Sequence, residues 1–230
     1  MFNKSINKIK IDKKGIIITA IVLGFTFSSK AGGSAYEKTM GKTIGEMYAT
    51  QELEAFDGVA NKFTRIGDAE KTQWLPYYYG ALTYTFKAFR INDLQKKDAV
   101  LDQALGILDK AYAIEANNSE VIALHGFINM IKIGVDPGTR GQSLSPGIYA
   151  DFGKAIKLDS KNPRATLFMA QMQYGTAQFF GSGVEEACQM VESSIVLFES
   201  TEGEESLMPS WGKDSAFEYR KMCQAPSTEE

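Results

Sequence analysis

One histidine, His125, stands in a chain of 230 residues, and that count limits the chemistry at once. The usual zinc sites draw on several His, Cys or carboxylate ligands at fixed spacing, and no HExxH is present. A Ser–His–Asp triad would have to use His125, yet no strand-turn nucleophile elbow accompanies it. Gly181-Ser182-Gly183 lacks the strand and third glycine of a dinucleotide fingerprint, and no GxxxxGKS/T phosphate loop exists. Glu185-Glu186 and the run Glu202, Glu204, Glu205 read as solvated surface, and nothing else supports glycosidase-like paired carboxylates. His125 precedes Gly126 on the packing face of a helix and reads as a core or groove-wall residue. No catalytic residue, cofactor or metal ligand is assigned. Cys188 and Cys223, the only cysteines, fall in predicted helices near the C-terminal end. They form a possible disulfide if the chain is exported, or else two separate buried thiols.

The elements that carry these residues are helices. Ala104, Leu108 and Ala111 sit four and three residues apart and share one helix face. Asn117-Asn118-Ser119 breaks that pattern, and Ser119 suits the N-cap of a second helix. Ile122 and Gly126 fall on one face of this second helix, and the small residues Ala111 and Gly126 let the backbones approach. The pattern recurs 44 residues later. Ile148, Phe152 and Ala155 answer Ala104, Leu108 and Ala111; the turn at 158–163 answers that at 114–119; Ala170 answers Gly126. Helices are expected near 51–67, 74–90, 98–115, 119–133, 148–159, 163–178, 184–198 and 211–223. Residues 36–50 are weakly patterned, and 200–210 read as an acidic loop. Residues 134–147 carry glycine at 134, 138, 141 and 147 and proline at 137 and 146, a density that predicts a loop rather than a helix.

This alternation of small and large residues across paired helices resembles the tetratricopeptide repeat (TPR), over roughly residues 51–200. The fold expected is all-α, a TPR-like helical-repeat solenoid of stacked antiparallel helix pairs. The whole chain further resembles a group of exported TPR-like proteins of Bacteroidetes bacteria. The stretches that carry this are 74–79 (WLPYYY), Val135-Asp136-Pro137 with Arg140-Gly141, Asn162-Pro163-Arg164-Ala165, Phe180-Gly181 with Gly183, and Trp211-Gly212-Lys213. That resemblance implies a fold and an address and brings no activity.

The N-terminus supplies the address independently. Lys4, Lys8, Lys10, Lys13 and Lys14 precede an apolar run at 15–27, and small residues follow, the pattern of a secretory signal peptide over 1–35. The run is short for a membrane span, so no membrane insertion is expected after cleavage; an uncleaved anchor is the alternative. Residues 1–35 hold six of the 25 basic and one of the 28 acidic residues, which leaves the remainder at a net −8. Such a domain is a poor match for nucleic acid. The repeat domain is expected over 36–225, with a disordered tail at 226–230. The location expected is the periplasm or beyond, in a Gram-negative bacterium.

Stacked helix pairs curve, and their inner helices line a surface suited to a peptide or partner helix. That surface offers Ala123, Phe127 and Met130 from one inner helix. Arg164, Leu167, Phe168 and Tyr174 come from the next, and Glu120 and Arg164 lie near the turns. Of these only Arg164 suits the carboxylate-clamp type of tetratricopeptide domain, so an apolar groove is expected, with Phe127 and Arg164 as anchors. The competing reading packs these side chains beneath a neighbouring helix or the 134–147 loop. Arg140 is expected either at a second contact surface on the 134–147 loop or paired with Asp136. The function expected is a non-enzymatic scaffold or adaptor that binds a protein or peptide through the concave face. The alternative is a soluble carrier of a small ligand or glycan at the aromatic cluster Tyr77, Tyr78, Tyr79 and Tyr84.

Overall fold

A computed structural model describes residues 34–200 and 206–225. The signal segment to residue 33, the carboxylates Glu202, Glu204 and Glu205, and the tail at 226–230 lie outside the described residues. The described part is all-α. Its helices are α1 (Ala35–Ala49), α2 (Ala55–Glu70), α3 (Leu75–Phe89), α4 (Leu94–Ile114), α5 (Ser119–Val135), α6 (Pro137–Leu158), α7 (Pro163–Phe180), α8 (Glu185–Ser200) and α9 (Lys213–Gln224). Each packs against its neighbours in sequence, and α5 also touches both α3 and α7, the three forming one face of a TPR-like stack. No described helix is long and apolar enough to cross a membrane.

Side-chain caps set the period. Asp93 accepts from Lys96 N, Asn118 from Val121 N, and Asn162 from both Arg164 N and Ala165 N. Each satisfies donors that a helix start leaves open. Asn118, rather than Ser119, is therefore the cap of α5. Ser119 instead joins the repeats: its hydroxyl donates to the Ala155 carbonyl at 2.9 Å and accepts from Asn162 Nδ2 at 3.0 Å. The small/large interlock is also present. A Cβ on Gly126 would lie 2.6 Å from Phe152 Cε1, so only a bare backbone leaves room for that fully buried ring.

Two stretches depart from expectation. Most of residues 36–50 lie in a regular helix, α1: Ser34 and Glu37 make a reciprocal capping box, and Met40, Thr43 and Met47 face the core. Residues 137–147, expected as loop, are the first half of α6. Asp136 caps its start and Pro137 occupies the first turn, where the missing N–H costs little. Gly138, Gly141 and Gly147 face open space, and Ser143 and Ser145 hydroxyls bond back to carbonyls of the preceding turn. Docking supplies what propensity lacks. Leu144 packs on the core, and Arg140 forks onto Asp98 of α4 at 2.5 and 2.8 Å while donating to the Lys132 carbonyl. Arg140 thus serves neither a loop surface nor Asp136; it clamps α6 to α4. Its guanidinium holds the Asp98 carboxyl well below the ordinary range.

At the far end of the stack Cys188 of α8 is joined to Cys223 of α9, with Cα atoms 5.7 Å apart and a sequence separation of 35. Closing a loop of that size in the unfolded chain is worth about 3–4 kcal/mol in the chain-entropy account.

Candidate functional site

The face formed by α3, α5 and α7 is not an open groove. Residues 206–219 of the same chain lie across it. Leu207 accepts a hydrogen bond from Tyr79, Ser215 accepts one from Gln171, and Tyr219 meets Tyr174 edge-on. Trp211 is the centre of this contact. Its ring lies 5.6 Å from those of both Phe127 and Phe168, and its indole N–H donates to the Tyr78 hydroxyl at 2.9 Å.

Beneath Trp211 sits a buried ion pair. Arg164 donates through Nε to Glu120 Oε2 at 2.8 Å and through Nη2 to Glu120 Oε1 at 2.6 Å. Its Nη1 donates to the Trp211 carbonyl at 3.1 Å, and Tyr78 donates to Glu120 Oε2. Burial alone would lower the Arg164 pKa; the charge of Glu120 and its hydrogen bonds outweigh that and raise it. Burial, then the charge of Glu120, keeps the Tyr78 hydroxyl neutral far above its ordinary range. A neutral phenol both donates to Glu120 and accepts from Trp211, so the network is closed.

These contacts correct the reading of an open groove. Ala123, Phe127, Leu167, Phe168, Tyr174 and Arg164 are all buried, Met130 is half-buried, and the charge of Arg164 is engaged by Glu120. They correct the aromatic cluster too. Tyr77, Tyr78, Tyr79 and Tyr84 are core residues, and the Tyr77 hydroxyl is spent on Asp68 at 2.7 Å.

What remains open lies beside Trp211. A cleft of about 550 Å³ is walled by Tyr48 of α1, Phe86 and Phe89 of α3, Phe127, Phe168 and Trp211. A smaller hollow of about 250 Å³ shares Tyr48, Phe86 and Phe89 and ends at Arg90. The rings run as a series: Phe89 to Phe127 at 6.1 Å, Phe127 stacked on Phe168 at 4.1 Å, Trp211 edge-on to Phe86 at 5.9 Å, and Phe86 to Tyr48 at 6.3 Å. Tyr48 and Phe89 are 44% and 54% exposed, well above what folding alone requires of such side chains. Arg90 donates to both Gln51 oxygens, so no carboxylate neutralises it among the described residues. Lys213, whose ammonium lies over the Phe217 ring, and Asp214 also line the cleft. Sequence reasoning placed Phe127 and Phe168 here but missed Tyr48, Phe86, Phe89 and the role of Trp211. The one available signal was Phe86 and Phe89 at three-residue spacing, which puts two large rings on one side of the last turn of α3.

His125 lies outside the cleft. Its Nδ1 is 2.7 Å from Asp151 Oδ2 on α6, and Asn129 sits 3.3 Å from Nε2. The hydrogen bond to Asp151 raises its pKa above the ordinary value, against the opposing effect of burial. A group raised in the folded state stabilises fully below its unfolded pKa of about 6.5, and that contribution is lost as pH rises through the folded value. The urea midpoint of the wild type is therefore expected to fall from pH 6 to pH 8, and Asp151→Asn to flatten the fall. Parallel midpoint profiles for the two proteins would refute the pairing. Among the described residues no group of three or more His, Cys, Asp or Glu could hold a metal ion.

No protein-family model and no curated sequence matches the chain. Among solved structures it is similar to the HusA haemophore from Porphyromonas gingivalis, a member of the Bacteroidetes. The two share 25% identity over 86% of this chain and 97% of that one, with a TM-score of 0.73. A thermophilic TPR protein from Thermus thermophilus matches at 14% identity over 79% of this chain and 90% of that one, TM-score 0.49. MamA matches at 13% identity over 81% and 86%, TM-score 0.42.

Proposed function

We propose that the protein is an exported, non-enzymatic carrier that holds a flat aromatic molecule of the tetrapyrrole class in the cleft beside Trp211. The observation that carries this is the open row of rings from Tyr48 to Trp211, with Arg90 at the end of the adjoining hollow. Its volume falls in the range of small-molecule sites, about 300–1,000 Å³. A planar macrocycle would gain stacking along the row, and an acid side chain would meet Arg90. The likeness to a haemophore over nearly the whole of that chain supports the same ligand class. No His or Cys lines the cleft. Burial raises the Tyr48 pKa, which keeps its hydroxyl protonated and a poor metal ligand. Ring contacts, not metal coordination, therefore carry recognition. The scaffold reading has less support, because a protein partner on the α3–α5–α7 face would have to displace residues 206–219.

Titration of the purified protein with haem and with metal-free protoporphyrin IX, followed by absorbance and tryptophan quenching, is expected to saturate at one equivalent for both. Tyr48→Ala and Phe89→Ala each remove a half-exposed ring and are expected to weaken binding about tenfold, the equivalent of about 1.4 kcal/mol. Absence of saturable binding, or affinities untouched by both substitutions, would reject the assignment. Export is tested separately: the native chain is expected to begin near residue 32 or 36 by mass spectrometry.

A further inference from the structure

We infer that the Cys188–Cys223 disulfide is a redox latch that decides whether the strap of residues 206–224 covers the α3–α5–α7 face. Beyond Trp211 the strap is held by few contacts: the hydrogen bond from Gln171 to Ser215, the edge-on pair of Tyr219 with Tyr174, and Phe217 packed on the core. α9 has 12 residues and a single fully buried one, Ala216, and a helix of that length is marginal without packing. Its ion pair from Arg220 to Glu192 is solvent-exposed and so contributes little. The near end is anchored by Trp211 through Tyr78 and Arg164. The one covalent tie at the far end is the disulfide, which joins α9 back to α8 at Cys223, beyond the last of these contacts. Both cysteines are half-buried rather than enclosed, so a small thiol can reach the bond.

The chemistry is a two-electron exchange. Closure joins the two sulfurs and releases two protons and two electrons to a disulfide oxidant, such as oxidised glutathione; a dithiol reductant reverses it by the same count. In a reducing compartment both sulfurs are thiols. The strap then loses its far anchor, residues 213–224 loosen, and Trp211 is held as a wall of the cleft only by Tyr78 and Arg164. A newly made chain would present an incomplete cleft until it met an oxidising environment. Ligand capture would thereby be confined to the exported protein. This last step rests on the carrier reading; the latch itself does not.

Hydrogen exchange read by mass spectrometry separates the two. It is compared in the oxidised protein, the dithiothreitol-reduced protein and the Cys188→Ser/Cys223→Ser variant, with protoporphyrin IX as the ligand probe. Reduction and the double substitution are each expected to raise exchange across 213–224 at least about tenfold while α2 to α7 keep their protection. Protoporphyrin affinity is expected to fall about tenfold in parallel. Unchanged exchange at 213–224 would overturn the latch. So would loss of protection through the whole stack, since the bond would then be a general staple. If the oxidised protein binds no protoporphyrin, the carrier reading fails and the exchange result still decides the latch.

Discussion

Arg164→Ala is expected to destabilise the fold by about 3–5 kcal/mol, because it strands the buried Glu120 carboxylate without its cation. Both residues are under one-tenth exposed, so water cannot replace the lost fork. The same change removes the donor to the Trp211 carbonyl and thus loosens the strap at its near end. The loss is of a kind that a second change repairs. Arg164→Met with Glu120→Leu removes both charges, fills a similar volume, and is expected to recover most of the stability. It should not recover the strap: Tyr78 would lose its acceptor and Trp211 its carbonyl partner. Urea midpoints read the stability, and tryptophan emission reads the strap. A loss under 1 kcal/mol for Arg164→Ala would show that Glu120 finds water or another partner, and would sink the network as described.

Phe152→Ala is expected to cost about 3–5 kcal/mol, the range for truncating a fully buried phenylalanine. Its ring is enclosed and meets Phe168 at 6.0 Å as well as the bare backbone of Gly126. Gly126→Leu attacks the same junction from the other side. The Phe152 ring and the Asp151 Cβ leave no room for a new side chain, and overpacking costs about 1–3 kcal/mol or more. The two changes are expected to couple. In Gly126→Leu/Phe152→Ala the leucine enters the space the ring has left, so the double variant should lose clearly less than the sum of the singles. Residues in contact commonly show couplings of about 0.5–3 kcal/mol. Strict additivity in denaturant midpoints would mean that the glycine and the ring are not opposite each other, and the alignment of the two repeats would fall with it.

The Gly126–Phe152 junction was legible from the chain because its causes are local. Helix period, small/large alternation and capping asparagines all act within a few residues. Ala104, Leu108, Ala111, Gly126 and Phe152 therefore announce a stack of helix pairs, and the single histidine announces little chemistry. The first half of α6 was not legible in this way. Its glycines and prolines argue against a helix locally, and the stabilising partner of Arg140, Asp98, lies 42 residues away. Tertiary docking outweighs propensity there.

The state of the α3–α5–α7 face is the larger case. Phe127, Phe168 and Arg164 look alike in sequence whether they await a partner or already have one. What covers them, Trp211, is 133 residues from its hydrogen-bond partner Tyr78. The open cleft is likewise assembled from α1, α3, α5, α7 and the loop before α9, and no window of the chain contains it. Helix pairing follows from neighbours along the chain, so sequence alone determined it. Which aromatic face is closed and which stays open depends on where a distant segment lands, and only the tertiary structure decided that.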